Sequence, residues 1–200
     1  IQAAADTALR GGFRLRDMFT VVERISSASG SCVVMTYWNP VHRYGVDAFA
    51  RDLAAAGGLG IITPDLVPDE AEDWVAASTE HGLDRIFLVA PSSSEERIAM
   101  TARASSGFLY ATSVMGVTGA RDVVSSAASE LVARARAHTE LPIGVGLGVR
   151  SGAQAGEVAS FADAVIVGSA FVSSAAAGPD AVRTLAAELA GGVRHPAVTA

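Results

Sequence analysis

Two glycine-rich segments in the second half of the chain have the composition of a phosphate site. The first, GVGLGVRSGAQ, carries Gly148 shortly before a helix pattern, and the second, VIVGSAFVSS, carries Gly168 and Ser169. Glycine lets the backbone approach an anion closely, and the N–H groups that open a helix point at it with the positive end of the helix dipole. Glycines that merely relieve crowding are the alternative for either segment alone. Both segments together favour phosphate binding, for which no lysine is needed.

Four further side chains lie where they could act on a substrate. Tyr37 and Trp38 follow an apolar run and could line a pocket for a flat apolar ligand, with ordinary core packing as the alternative. Asp65, at the end of IITPDLVP, could be a general acid or base, or it could cap a helix or brace a loop. The hydroxyl of Tyr110 could steer a substrate or a carboxylate if it points inward, whereas an outward ring would pack under a helix.

These residues must be positioned by strands, and the sequence contains six β-rich runs. The runs are nearly continuous in apolar residues, which is typical of parallel strands covered on both faces. They lie at Ser31–Tyr37, Leu59–Pro64, Asp84–Ala90, Gly107–Thr112, Leu141–Gly146 and Asp163–Gly168.

Helix patterns alternate with the strand runs. PDEAEDWVAASTEHG begins at Pro68 and ends on a glycine, as helix termini prefer. Ser93 with Glu96, and Ser151 with Gln154, have the spacing of a capping box and predict two helix starts.

This alternation leaves two architectures, an open doubly wound sheet and a (β/α)8 TIM barrel. A barrel needs about 250 residues, so the chain is short by two units. A helix pattern without a preceding strand opens the chain, which favours a barrel represented by its strands 3–8 and their helices. No GxGxxG follows the first strand, which weighs against a dinucleotide-binding sheet. We expect one domain over residues 1–200.

Composition excludes several classes of partner. Of 200 residues 50% are hydrophobic, and the net charge is −6 with no basic stripe, so nucleic acid and anionic membrane surfaces are not expected. No apolar run reaches the roughly 18 residues of a membrane span, and the first residues do not resemble a signal peptide. Cys32 is the only cysteine, which fits a reducing cytoplasm. The four histidines lie far apart in sequence, so no metal site is expected.

Several segments, taken in order, resemble the tryptophan synthase α subunit family over nearly the whole chain. They include MTYWNPVHRYGVDAFARDLAAAGG, GFLYATSVMGVTGARD, PIGVGLGVRSGAQ and VIVGSAFV. The resemblance implies a TIM barrel that cleaves indole-3-glycerol phosphate by a retro-aldol route to indole and glyceraldehyde 3-phosphate. It also implies an αββα heterotetramer, in which indole passes to a β subunit that holds pyridoxal phosphate. This subunit itself would need no cofactor.

Position by position, the resemblance implies a set of substrate-binding residues. The phosphate positions are Gly119, Gly148, Gly168 and Ser169. The positions that line the pocket are Ile1, Met35, Tyr37, Leu88 and Leu147.

The resemblance also implies two supporting residues and a partner contact. Tyr110 falls near the catalytic carboxylate of the family, and Thr118 falls on a mobile loop that closes over the substrate. Asn39 and Pro40 fall where the family contacts its β subunit.

One departure from the family pattern concerns catalysis. The catalytic glutamate and aspartate of the family are expected upstream of Ile1, as if the first two βα units were missing. The 200 residues alone are therefore expected to be inactive. Two alternatives stay open: a non-catalytic barrel that binds a phosphorylated ligand and regulates a partner, and another sugar-phosphate TIM-barrel enzyme.

Overall fold

The computed structural model describes residues 1–112 and 126–195, which form an α/β fold. Its strands are short, and each falls inside one of the six predicted runs. They are β1 (Val33–Met35), β2 (Gly60–Ile62), β3 (Asp84–Ile86), β4 (Leu88–Val89), β5 (Leu109–Thr112), β6 (Ile143–Gly146) and β7 (Ala164–Val165).

Helices separate the strands, as the alternating pattern predicts. The first five are α1 (Gln2–Arg10), α2 (Leu15–Ser27), α3 (Trp38–Tyr44), α4 (Val46–Ala55) and α5 (Glu72–Glu80). The others in the described residues are α6 (Glu95–Ala104), α7 (Ser126–Arg136), α8 (Gly152–Ala159), α9 (Ser169–Ala175) and α10 (Pro179–Arg194). None of the helices in these ranges has the length and hydrophobicity that a membrane span requires.

All strand pairs are parallel, and their spatial order follows the chain. One sheet has the order β1-β2-β3 and the other β4-β5-β6-β7. The predicted run Asp84–Ala90 is divided at Phe87, whose carbonyl still accepts the Tyr110 N–H at 3.1 Å, so this segment joins the two sheets. A doubly wound sheet reverses its strand order at a switch point. The order of the described strands shows no reversal, which favours the barrel.

The two faces of the strands carry different side chains. Leu109, Ala111, Ile143 and Val145 are buried in one core with residues of α6, α7 and α8. A second core lies under α3, α4 and α5 and includes Ile61. Because side chains alternate along a strand, the residues between these positions face away from the helices. That opposite face is called the inner face below.

Helix starts agree with the predicted caps at one site and differ at two. The Ser151 hydroxyl accepts the Gln154 N–H and opens α8, as predicted. At α6 the cap is Ser94, which accepts the Arg97 N–H, while the Ser93 hydroxyl accepts the Ala90 N–H within the preceding turn. Pro68 opens only a short 3-10 turn before α5. Ser93 and Ser94 give the same local signal for a helix cap, and tertiary packing decides which of them caps α6.

Candidate active site at the carboxyl ends of the strands

The inner face brings together residues from several strands. Leu88 is in register with Tyr110, and Tyr110 is in register with Gly144. Met35 is in register with Ile62, while its neighbour Val34 packs on the core under α3 to α5. Partners in parallel register point to the same side of a sheet. The structure thus places Met35, Leu88 and Tyr110 on the inner face.

Tyr110 brings a phenol hydroxyl to this face. A β-carbon added at Gly146 would lie 2.0 Å from its hydroxyl oxygen and 2.6 Å from Cζ, so the phenol ring covers the backbone of β6. Burial raises the pKa of the Tyr110 hydroxyl above its ordinary value of 10.0. The hydroxyl is therefore protonated near neutral pH and can donate a hydrogen bond to a substrate. The inward orientation, one of two left open by the sequence, is the one observed.

Apolar side chains lie beside Tyr110 on the inner face. A β-carbon at Gly144 would lie 2.9 Å from Ile166 Cδ1 and 3.4 Å from Phe108 Cδ2. Phe108, Ile166 and Ile62 also border a cavity of about 370 Å³, whose other lining residues are apolar and come in part from α8, α9 and α10. Sequence reasoning did not single out these three residues. In the sequence, these residues alternate with neighbours that face the helices, which is the signal that could have found them. This alternation does not show which strands are adjacent.

The mouth of β1 presents two further predicted pocket residues. Met35 is 54% exposed and Tyr37 is 67% exposed. Tyr37 is also the N-cap residue of α3, whose first turn carries Asn39 and Pro40. A substrate in contact with Tyr37 would therefore be separated by a single residue, Trp38, from the predicted partner contact at Asn39.

Asp65 is engaged by the backbone of this mouth. The Trp38 N–H donates to both carboxylate oxygens of Asp65, at 2.9 and 3.1 Å. The sequence left open whether Asp65 is a general acid or base, a helix cap or a loop brace. The observed contact is typical of a residue that caps a helix and braces a loop.

The two glycine-rich strand ends have open space next to their backbones. At Gly148 (φ +82) and at Gly168, an added β-carbon would meet nothing within 4 Å. Gly168 is the N-cap residue of α9, and Ser169 is the first residue of that helix. The backbone at both glycines is therefore accessible to an anion. At the neighbouring α8 the first N–H, that of Gly152, is already donated to Glu188 Oε1 at 2.8 Å.

Other predicted site residues lie elsewhere. Leu147 is 4% exposed and packs in the core shared with α7 and α8. Ile1 is the N-cap residue of α1 and is 75% exposed. Thr118 and Gly119 lie outside the described residues.

A group of possible metal ligands occurs away from the strand ends. Ligand atoms of Asp47, Glu80 and His81 lie within 4.8 Å of one another, at the start of α4 and the end of α5. His81 Nε2 already forms a hydrogen bond with Asp47 Oδ1 at 2.9 Å. Sequence spacing alone could not reveal the group, because 34 residues separate the bonded pair.

The sequence matches known proteins over almost its whole length. The family described as "Tryptophan synthase alpha chain" matches residues 1–195. The tryptophan synthase alpha chain of Nocardia farcinica is 69% identical over 198 residues, which are 99% of this chain and 74% of the relative. That of Mycobacterium tuberculosis is 66% identical over 194 residues, which are 97% of this chain and 72% of the relative.

Solved structures agree with these matches. A chain in the crystal structure of tryptophan synthase from M. tuberculosis has a TM-score of 0.91 and 62% identity, covering 97% of this chain and 74% of that one. A chain of the Pyrococcus furiosus tryptophan synthase complex has a TM-score of 0.84 and 32% identity, covering 94% of this chain and 77% of that one. The likeness confirms the predicted fold of the TIM-barrel type. The chain spans about three quarters of the length of the relatives it matches. On sequence and structure together, the chain belongs to the tryptophan synthase alpha chain family.

Proposed function

We propose that this protein cleaves indole-3-glycerol phosphate to indole and glyceraldehyde 3-phosphate, as a lyase of tryptophan biosynthesis. Family membership supplies the reaction. The observation that carries the proposal to this chain is the register of Leu88 with Tyr110, which places an apolar side chain next to a polar one on the inner face. A flat indole ring suits such a surface, because apolar pockets with a few placed polar groups are typical of small-molecule sites.

The two ends of the substrate would meet different parts of the site. The phosphate would bind at the open backbones of Gly148 and Gly168 with Ser169, and Gly119 completes the proposed set. The indole would contact Met35 and Leu88 on the inner face and Tyr37 at the mouth of β1. Binding energy from the phosphate, which is remote from the bond that breaks, aligns the indole end.

The chemical step needs proton transfers at the indole ring and at the glycerol hydroxyl. The 200 residues contain 15 arginines and no lysine, so none of them can form a lysine imine with the substrate. Membership of the family implies acid–base catalysis, and a positioned group typically contributes about 10²–10⁴-fold. The neutral hydroxyl of Tyr110 supports this step as a hydrogen-bond donor, and Thr118 is proposed to support closure over the substrate.

The partner would be a tryptophan synthase β subunit, in an αββα assembly that contacts Asn39 and Pro40. The similar chain from Pyrococcus furiosus belongs to an a2b2 complex of that organism in which activation is mutual. We propose the same assembly here, with pyridoxal phosphate held by the β subunit and no cofactor in this chain. We also propose that residues 1–200 form one domain.

Release of indole tests the proposed function. The full-length protein is incubated with indole-3-glycerol phosphate, alone and with a tryptophan synthase β subunit, and indole is quantified. We expect indole in both reactions and faster release with the β subunit. A well-folded protein that binds the substrate but releases no indole in either reaction would indicate the non-catalytic, regulatory alternative instead.

A further inference from the structure

We propose that Asp65 is the positioning residue that couples the substrate pocket to the partner face of the protein. It does so by capping α3 from another strand end. The inference rests on the proposed function, because it assigns Tyr37 to the substrate and Asn39 with Pro40 to the β subunit.

The cap is unusual because the capping side chain is remote in sequence. Asp65 follows β2, yet its carboxylate accepts the N–H of Trp38, the first residue of α3, 27 positions earlier. The first N–H groups of a helix have no partner within the helix. The N-cap residue Tyr37 forms no capping side-chain hydrogen bond, and the first turn of α3 contains no acidic residue. Asp65 thus supplies both the missing acceptor and the negative charge that the helix N-terminus favours.

A second contact holds the same point of α3. The ring of Trp38 packs edge-on against Trp74, with ring centroids 6.5 Å apart and an interplanar angle of 63°. Trp74 lies in α5 and is completely buried. Asp65 and Trp74 both belong to the segment that connects β2 to β3. Both the backbone N–H and the ring of Trp38 therefore clamp the start of α3 to the next βα unit.

This clamp determines where residues on both sides of Trp38 lie. Tyr37 directly precedes it at the open mouth of β1, and Asn39 with Pro40 directly follows it on α3. Without the cap, the first turn of α3 is free to shift, and Tyr37 and Asn39 shift together. Asp65 acts through these residues and exchanges no proton with the substrate.

Three variants of the full-length protein test the role of Asp65. Asp65→Ala removes the cap, whereas Asp65→Asn keeps an acceptor oxygen, and asparagine caps helices about as well as aspartate. The matched control is Asp17→Ala on α2, where the Asp17 carboxylate accepts the Arg14 N–H at 2.7 Å. That control removes the same kind of bond, from a backbone N–H to a carboxylate, at the start of a different helix.

We expect Asp65→Ala to lower kcat/KM for indole release about 3- to 30-fold and to weaken the stimulation by the β subunit. Asp65→Asn should stay within about threefold of the parent protein, and Asp17→Ala should keep both properties. Hydrogen exchange of ¹⁵N-tryptophan-labelled protein reports on this bond directly, since the two tryptophans of residues 1–200 are Trp38 and Trp74. The Trp38 amide should exchange faster in Asp65→Ala than in the parent, with Trp74 as the internal reference.

Two results would overturn the inference. If Asp65→Asn is as inactive as Asp65→Ala, the carboxylate transfers a proton and is not a cap. If Asp65→Ala keeps full activity, stimulation and Trp38 protection, the bond positions nothing. A parent protein that releases no indole would refute the proposed function, while the exchange of the Trp38 amide would still decide whether the cap exists.

Discussion

The phenol of Tyr110 occupies the space that a side chain at Gly146 would need. A β-carbon at residue 146 would lie 2.0 Å from Oη, 2.6 Å from Cζ and 2.7 Å from Cε1 of Tyr110. Glycine at this position of β6 is therefore required by the residue on β5, and the two positions must be considered as a pair.

Gly146→Ala should destabilise the protein by about 1–3 kcal/mol, because the added methyl group displaces a packed ring. It should also reduce indole release, since the displaced ring is the one that faces the substrate. Urea denaturation measures the free energy of unfolding. Gly168→Ala, where the added atom meets open space, is the control for stability.

A smaller residue at position 110 should relieve that clash. In a double-mutant cycle, Gly146→Ala with Tyr110→Ala should be less destabilising than the sum of the two single changes. Strict additivity would show that the ring does not contact Gly146 in solution.

Two adjacent glycines of α10 should respond oppositely to alanine. A β-carbon at Gly192 would lie 1.9 Å from the carbonyl oxygen of Gly152 on α8, which cannot move aside as a side chain can. Gly192→Ala should cost about 1–3 kcal/mol. Gly191 has nothing within 4 Å of that position, so Gly191→Ala should stabilise by about 0.5–1 kcal/mol through helix propensity. Thermal and urea unfolding of both variants check the pair, and equal effects would contradict this helix contact.

Asp163 should contribute to stability in a pH-dependent way. Its carboxylate accepts the Ile143 N–H at 2.8 Å and pairs with Arg136 at 2.9 Å. The backbone hydrogen bond, followed by the arginine, holds the pKa of Asp163 below its ordinary value of 3.8. A lowered pKa in the folded state means that the stabilisation is complete above the unfolded pKa and is lost as pH falls through the folded value.

The variant Asp163→Asn isolates this effect. At pH 7 it should be less stable than the parent protein by about 1 kcal/mol, because a bond to a charged acceptor becomes a neutral one. The difference should shrink as pH falls below about 4. Urea midpoints measured from pH 7 to pH 3 provide the test, and a difference that stays constant over this range would refute it.

Much of the fold could be predicted from the chain, because local patterns determine it. Each of the six apolar runs contains a strand, and the parallel arrangement follows from their continuous hydrophobicity. The interruption at Phe87 was not predictable, since that residue is as apolar as its neighbours and only the pairing of the sheets distinguishes it.

The sequence predicted the kinds of ligand group that the site would bind, but it did not predict the contacts between the site residues. Glycines and aromatic residues at strand ends indicated a phosphate and an apolar ligand. The bond from Trp38 to Asp65 and the contact of Ile166 with the Gly144 position depend on which strands are neighbours. Neither leaves a signal in local spacing.

The most direct test of the proposed lyase activity is the release of indole from indole-3-glycerol phosphate by the purified full-length protein. We expect indole and glyceraldehyde 3-phosphate in equal amounts, a rate that rises with a β subunit, and a lower rate for Gly146→Ala. Substrate that remains intact in the presence of folded protein and β subunit would contradict the proposed function.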